Sequence, residues 1–195
     1  MTLFQRIKWV LSVLLVFSLI LATNLIDRDN FRRIKDSIVT IYEDRIVAKD
    51  LIIEYLVLVH EKEMAVISGA PEFFEERNSQ VNQEMERITS AYRQTKFTRK
   101  ETLVFDKFQD DLEGMAKLEA ALDTNSETYE RLLFDCKDKL HQLAKIQVEE
   151  SKNQVAIGKE AFDDIELFTQ IEIYVLIFLA ILVQIFILYR PRNTL

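Results

Sequence analysis

The chain has two histidines, and each keeps a carboxylate three residues away: Glu63 follows His60, and Asp138 precedes His141. Residues three apart share one helix face. On two facing helices the four side chains could converge, and imidazole–carboxylate sets of that kind hold divalent metal ions. A di-iron bundle needs two Glu-x-x-His pairs and further carboxylates. This sequence has no Glu-x-x-His and one Asp-x-x-His, so solvated surface histidines are the simpler reading. Arg45 is the other residue whose placement suggests chemistry. It falls between Ile41 and Ala48, on the apolar seam of a helix. An arginine there either pairs with a carboxylate, Glu149 or Glu150 near Ser151 being the expected partners, or offers its planar fork to an anionic ligand. A third course is escape to solvent along its stem.

Catalysis finds little support. The chain has no glycine-rich phosphate loop, no His-Glu-x-x-His and no nucleophile elbow. We therefore expect no enzyme, no catalytic residue and no cofactor. Cys136 is the single cysteine; it excludes an internal disulfide and reads as a small core residue. Acidic runs such as Glu84–Glu86 and Glu149–Glu150 read as solvated faces with local ion pairs.

The elements that must position these residues are helices. Three glycines and two prolines in 195 residues leave few turns. Apolar residues recur in threes and fours at Ile34, Ile38, Ile41, Ala48, Ile52, Leu56, Val59 and Val66, the spacing of a coiled-coil-like seam. Ser68-Gly69-Ala70-Pro71 should end that helix, with glycine closing it and proline opening the next. A second helix is expected from Pro71 to Gln94. Thr98-Arg99-Lys100-Glu101 reads as a capping box that opens a third, and Thr124-Asn125-Ser126-Glu127 as one that opens a fourth. The fold class expected is all-α: an antiparallel, up-down-up-down four-helix bundle.

Two apolar runs flank this bundle, Trp9 to Ile26 and Ile171 to Tyr189. Each has about the length that crosses roughly 30 Å of hydrocarbon as a helix. The sequence then predicts a short cytoplasmic tail (1–8), a transmembrane helix (9–26), an extracytoplasmic bundle (27–170), a second transmembrane helix (171–189) and a second cytoplasmic tail (190–195). Arg6, Lys8, Arg190 and Arg192 favour both termini inside and the bundle outside, in a periplasm or extracellular space. A cleaved signal peptide is the rival, though Ile20 fits poorly at the −3 position of a cleavage site near Ala22. Setting aside the four flanking cations and Glu172 leaves 21 of the 25 basic and 31 of the 32 acidic side chains. A net charge near −10 on 27–170 argues against nucleic acid as a partner. The membrane-proximal halves of the two long bundle helices, 27–44 and 153–170, keep apolar seams that two helices bury poorly. A second copy or a different membrane protein would complete them, beside the lipid bilayer itself.

The stretch Ser37-Ile38-Val39-Thr40-Ile41-Tyr42-Glu43-Asp44-Arg45-Ile46-Val47 resembles the first helix of the periplasmic four-helix-bundle sensor of bacterial methyl-accepting chemotaxis proteins. Ala48 stands where that family often has proline. The resemblance implies a sensory module of the bacterial inner membrane, with Tyr42 and Arg45 as the ligand-binding candidates and a small molecule as ligand. After the second apolar run come only a few residues, without the family's HAMP linker, methylation helices or kinase-coupling tip. The function expected is a chemoreceptor-like sensor that signals through another protein. Its alternative is a non-catalytic structural or accessory subunit of a membrane complex, and a third reading is an inhibitor forming mixed dimers with full-length chemoreceptors.

Overall fold

A computed structural model describes residues 3–188. All its regular elements are helical: α1 (Leu3–Thr40), a π-helical turn (Ile41–Ile46), α2 (Val47–Ser68), a second π-helical turn (Phe73–Arg77), α3 (Asn78–Tyr92), α4 (Arg99–Ala120) and α5 (Glu127–Leu188). The all-α class holds among the described residues.

The boundaries follow local chemistry. α2 closes at Gly69, whose φ of 61° is left-handed, and whose N–H returns to the α2 carbonyls of Ala65 and Val66. Glycine adopts that conformation without a Cβ penalty. α4 opens on the expected capping box: Thr98 Oγ1 accepts from Glu101 N at 3.2 Å, and Thr98 N donates to Glu101 Oε2 at 3.1 Å. α5 departs from expectation. Its cap is Ser126, whose Oγ accepts from Tyr129 N at 3.3 Å, rather than Thr124. The turn between α4 and α5 absorbs the shift, with Leu122 in the left-handed region at φ 56° and Asp123 N bonding back to Leu118 O at 2.9 Å.

The chain divides into two compact units. The larger, Ile38–Val155, holds the main core. α2 contributes Ala48, Ile52, Tyr55 and Val59; α3 Val81, Met85, Ile88 and Tyr92; α4 Phe105, Phe108 and Met115; α5 Leu133, Cys136, Leu140 and Leu143. Each set advances by three or four residues (seven across Leu112 in α4), so each helix turns one face inward. Truncating any of the larger aliphatic members to Ala costs about 2–5 kcal/mol. The edge-to-face pair Tyr55–Phe108 and the Tyr92, Phe97 and Phe105 rings fill one end of this core.

The smaller unit takes in α1 up to Ser37 and α5 from Ala156. Here the helices approach through small residues. A Cβ on Gly158 would stand 3.6 Å from Ser37 Cβ, an ordinary contact. Ala161 is fully buried, and Arg33 meets Asp164 at 3.9 Å. Leu14, Phe17, Leu21, Leu25 and Phe31 on α1, and Ile173, Tyr174 and Ile177 on α5, are exposed.

The expectation of two transmembrane spans is corrected: among the described residues, no helix is long and apolar enough to cross a membrane. The spans at 9–26 and 171–189, and with them the inner-membrane placement with both termini inside and the bundle outside, therefore lose their basis. Tyr189 and the 190–195 tail with its two arginines lie outside the described residues.

Candidate functional site

Arg45 does lie on the inward face, as its position between Ile41 and Ala48 requires, but on a π-helical turn. Such turns are rare and concentrate at functional sites. Its side chain is 5% exposed and its partner is Glu101, 0% exposed, at 3.2 Å. Nη1 of Arg45 also donates to Gln147 Oε1 at 3.2 Å. Glu149 and Glu150, expected as partners from helix levels, are replaced by a carboxylate from α4 and an amide from α5.

Glu101 is the hub of this cluster. Its Oε2 accepts from Arg45 and Thr98, and its Oε1 from Tyr92 Oη at 2.9 Å and from Gln147 Nε2. Gln147 Nε2 also reaches Tyr92 Oη at 3.2 Å. These donors offset the cost of taking the carboxylate out of water. Burial, and then the neighbouring Glu101 charge, push the Tyr92 hydroxyl far above its usual pKa, so it keeps its proton, donating to Glu101 while accepting from Gln147 Nε2. Arg45 Nε is buried without a hydrogen-bond partner. Arg45 also lines a groove of about 430 Å³. Ile41, Ile46, Val148 and Val155 make its apolar walls, and Lys49 and Lys152 are its exposed cations. Ser151, also lining it, spends its hydroxyl proton on Gln147 O at 2.8 Å. This geometry suits an anion with an apolar body better than a highly charged one.

A second buried cluster centres on Lys62, whose side chain is 2% exposed. Its Nζ donates to Asn78 Oδ1 at 2.5 Å, Asn82 Oδ1 at 2.7 Å and Glu119 Oε1 at 2.6 Å, which uses all three ammonium protons. Glu119 also accepts from Asn78, Asn82 and Tyr129 Oη. Burial alone would raise the Glu119 pKa; Lys62 and the two amides together outweigh it and hold the carboxyl below the usual range. Burial lowers the Lys62 pKa despite Glu119. With its donors consumed internally, this cluster ties α2, α3, α4 and α5 together and offers nothing to a ligand.

The remaining sequence candidates separate. Tyr42 is 64% exposed and does not line the Arg45 groove. His60 Nδ1 lies 3.1 Å from Glu63 Oε2, but Glu63 also receives Lys137 Nζ at 2.8 Å on each oxygen. Asp138 accepts from Gln142 Nε2 at 2.7 Å, and His141 is exposed. Among the described residues, no three or more His, Cys, Asp or Glu side chains are placed to hold a metal ion. Cys136 is buried with Sγ 3.7 Å from Met115 Sδ, and burial pushes its thiol pKa up to about 12. It packs as a core residue.

Gln147 and Lys62 were not singled out by sequence and Glu101 was read only as a capping residue, yet each has a signal. Glu101 lies four residues before Phe105, Gln147 four after Leu143, and Lys62 three after Val59 and three before Ala65, all on the inward faces. No protein family, no curated protein and no solved structure matches this chain.

Proposed function

We propose that the chain is a non-catalytic, chemoreceptor-like sensory module that takes up a small ligand and reports through another protein. In this reading α2, α3, α4 and the first part of α5 form an antiparallel, up-down-up-down four-helix bundle. The inward faces of those four segments, which share one core, support that arrangement.

The observation that carries the reading is Arg45: a buried guanidinium on a π-helical turn, with Nε unpartnered, in the wall of a groove between two lysines. A π turn and an α turn of the same residues differ in hydrogen-bond register. A ligand that bonds Arg45 in one register more strongly than in the other shifts the balance between them. The ligand's charge is thereby converted into a rotation of the residues beside it.

The test is a thermal-shift series on the full chain with acetate, benzoate, succinate and aspartate. At a hundredfold excess over Kd a ligand adds about 2.7 kcal/mol, a rise of roughly 5–10 °C in Tm for a chain of this size. Lys152→Ala should weaken the response, and Arg45→Lys, which keeps the charge but loses the fork, should abolish it. A response that persists unchanged in both variants would place the ligand elsewhere.

The accessory-subunit reading is favoured by a different observation. Ile53, Val57 and Ile67 on α2 are 49%, 60% and 71% exposed, more apolar surface than one helix of a monomer usually presents. Thermal shifts that fail with every anion would favour it.

A further inference from the structure

Buried positions recur every seven residues on either side of the π turn Ile41–Ile46. Thr23, Asn30 and Ser37 precede it; Arg45, within the turn, begins a second series that runs on through Ile52 and Val59, and all six are at most 7% exposed. The step from Ser37 to Arg45 is eight. At the end of the turn Val47 N bonds Tyr42 O, five residues back, where an α turn would bond four back. The turn thus takes up one residue more than an α turn does. Counted straight through at seven, the inward place would fall to Asp44 instead of Arg45.

The turn is gripped from outside itself. Asp44 Oδ1 accepts from Lys96 N at 3.1 Å, and Arg45 Nη1 donates to Glu101 Oε2 at 3.2 Å. The same Glu101 oxygen accepts from Thr98 N at 3.1 Å. Phe97, between those two amides, packs its ring against Tyr92 and Phe105, with centroids 5.2 and 5.3 Å apart. Both ties therefore lead to one connection, residues 93–98 between α3 and α4. Consecutive side chains on a helix point about 100° apart. Holding Asp44 and Arg45 together fixes the rotation of the turn as well as its place.

We propose that the α3–α4 connection is a clasp that sets the hydrogen-bond register of the π turn. With the clasp closed, Arg45 faces the core and the additional residue stays within Ile41–Ile46. With it open, Asp44 is unfastened and the turn can pass into α register, in which Asp44 takes the inward place. That sets a second carboxylate beside Glu101, so the α register is the minor state. The connection presents Arg93 and Lys96 to solvent, which makes it the part of the device that lies within reach of other molecules. The clasp needs no ligand at Arg45. Its test uses the chain without added ligand, so the clasp and the sensory reading can fail separately.

Two single-residue deletions in the full chain, followed by circular dichroism and thermal unfolding, test the additional residue. A deletion within a regular helix swings every following side chain about 100° off its face. Deletion of Ile53, half-exposed in α2, should therefore abolish cooperative unfolding. Deletion of Glu43, exposed in the turn, returns the series to steps of seven. It should keep the helix content and lower Tm by no more than roughly 5 °C. Equal collapse of both variants overturns the additional residue. Amide hydrogen exchange tests the clasp. Asp44→Ala removes the Lys96 tie and should speed exchange at 41–46 roughly tenfold, the loss expected for a hydrogen bond to a charged acceptor, with exchange at 52–59 unchanged. Unaltered exchange at 41–46 overturns the clasp, and so does an equal rise at 52–59, which would mean general loosening.

Discussion

Arg45 and Glu101 form an ion pair at 3.2 Å with side chains 5% and 0% exposed, across a sequence separation of 56 residues. Such a pair contributes less through its own attraction than through the penalty for losing one member. Arg45→Met leaves the Glu101 carboxylate buried without its cation and should destabilise the chain by about 3–5 kcal/mol. Arg45→Met combined with Glu101→Gln should cost less than Arg45→Met alone. Urea unfolding of the single and double variants measures both, and a double variant as costly as the two singles added together would refute the coupling.

Acid should act chiefly through the Lys62 cluster. Glu119 has a folded pKa below its ordinary value of 4.5, so near and below pH 4.5 the unfolded chain binds the extra proton. Its stabilisation is complete above that pH and is lost as pH falls through the folded pKa. A Glu119→Gln variant should be less stable at neutral pH and show a shallower loss on acidification. Unfolding midpoints from pH 7 to pH 3 give the comparison.

In alkali the tyrosines should divide. Burial raises the pKa of Tyr55, Tyr92 and Tyr129, with the carboxylates Glu101 and Glu119 adding to the effect at the last two. Their ionisation should be absent from the ultraviolet titration of the folded chain above pH 10 and appear together when the chain unfolds. A smooth titration of all six tyrosines before unfolding would contradict the buried placement.

Leu122 should be replaceable with profit. It is 84% exposed and held at φ 56°, where an L-residue with a Cβ is strained by about 1–2 kcal/mol. Leu122→Gly loses almost no packing and should raise Tm by about 2–4 °C. The opposite change at Gly69, φ 61°, should lower it. Nothing lies within 4 Å of an added Cβ there, so the effect would be conformational alone.

The helices and their inward faces were legible in the sequence because an apolar residue every three or four positions is a direct consequence of helical geometry. The Gly69 stop and the Thr98 cap were legible for the same reason: each satisfies backbone groups within a few residues. Arg45 could be placed inside by period, but its partner could not be named. Glu101 reads locally as an ordinary capping residue, and only the packing of α4 brings its second role to Arg45. His60 and His141 fall on exposed positions, and levels along the helices alone do not set which way a side chain faces. The membrane spans were inferred from the length of two apolar runs, and among the described residues no helix is long and apolar enough to cross a membrane.

The two buried clusters also differ in when they can close. Lys62, Asn78, Asn82, Glu119 and Tyr129 all precede residue 130, whereas Arg45 and Glu101 must wait for Gln147, 102 residues after the arginine. During synthesis from the N-terminus, the Lys62 cluster can assemble while the Arg45 cluster still lacks its amide. A ribosome paused between those points would hold a chain with one locked centre and one open centre, and the open centre is the one that carries the ligand candidate.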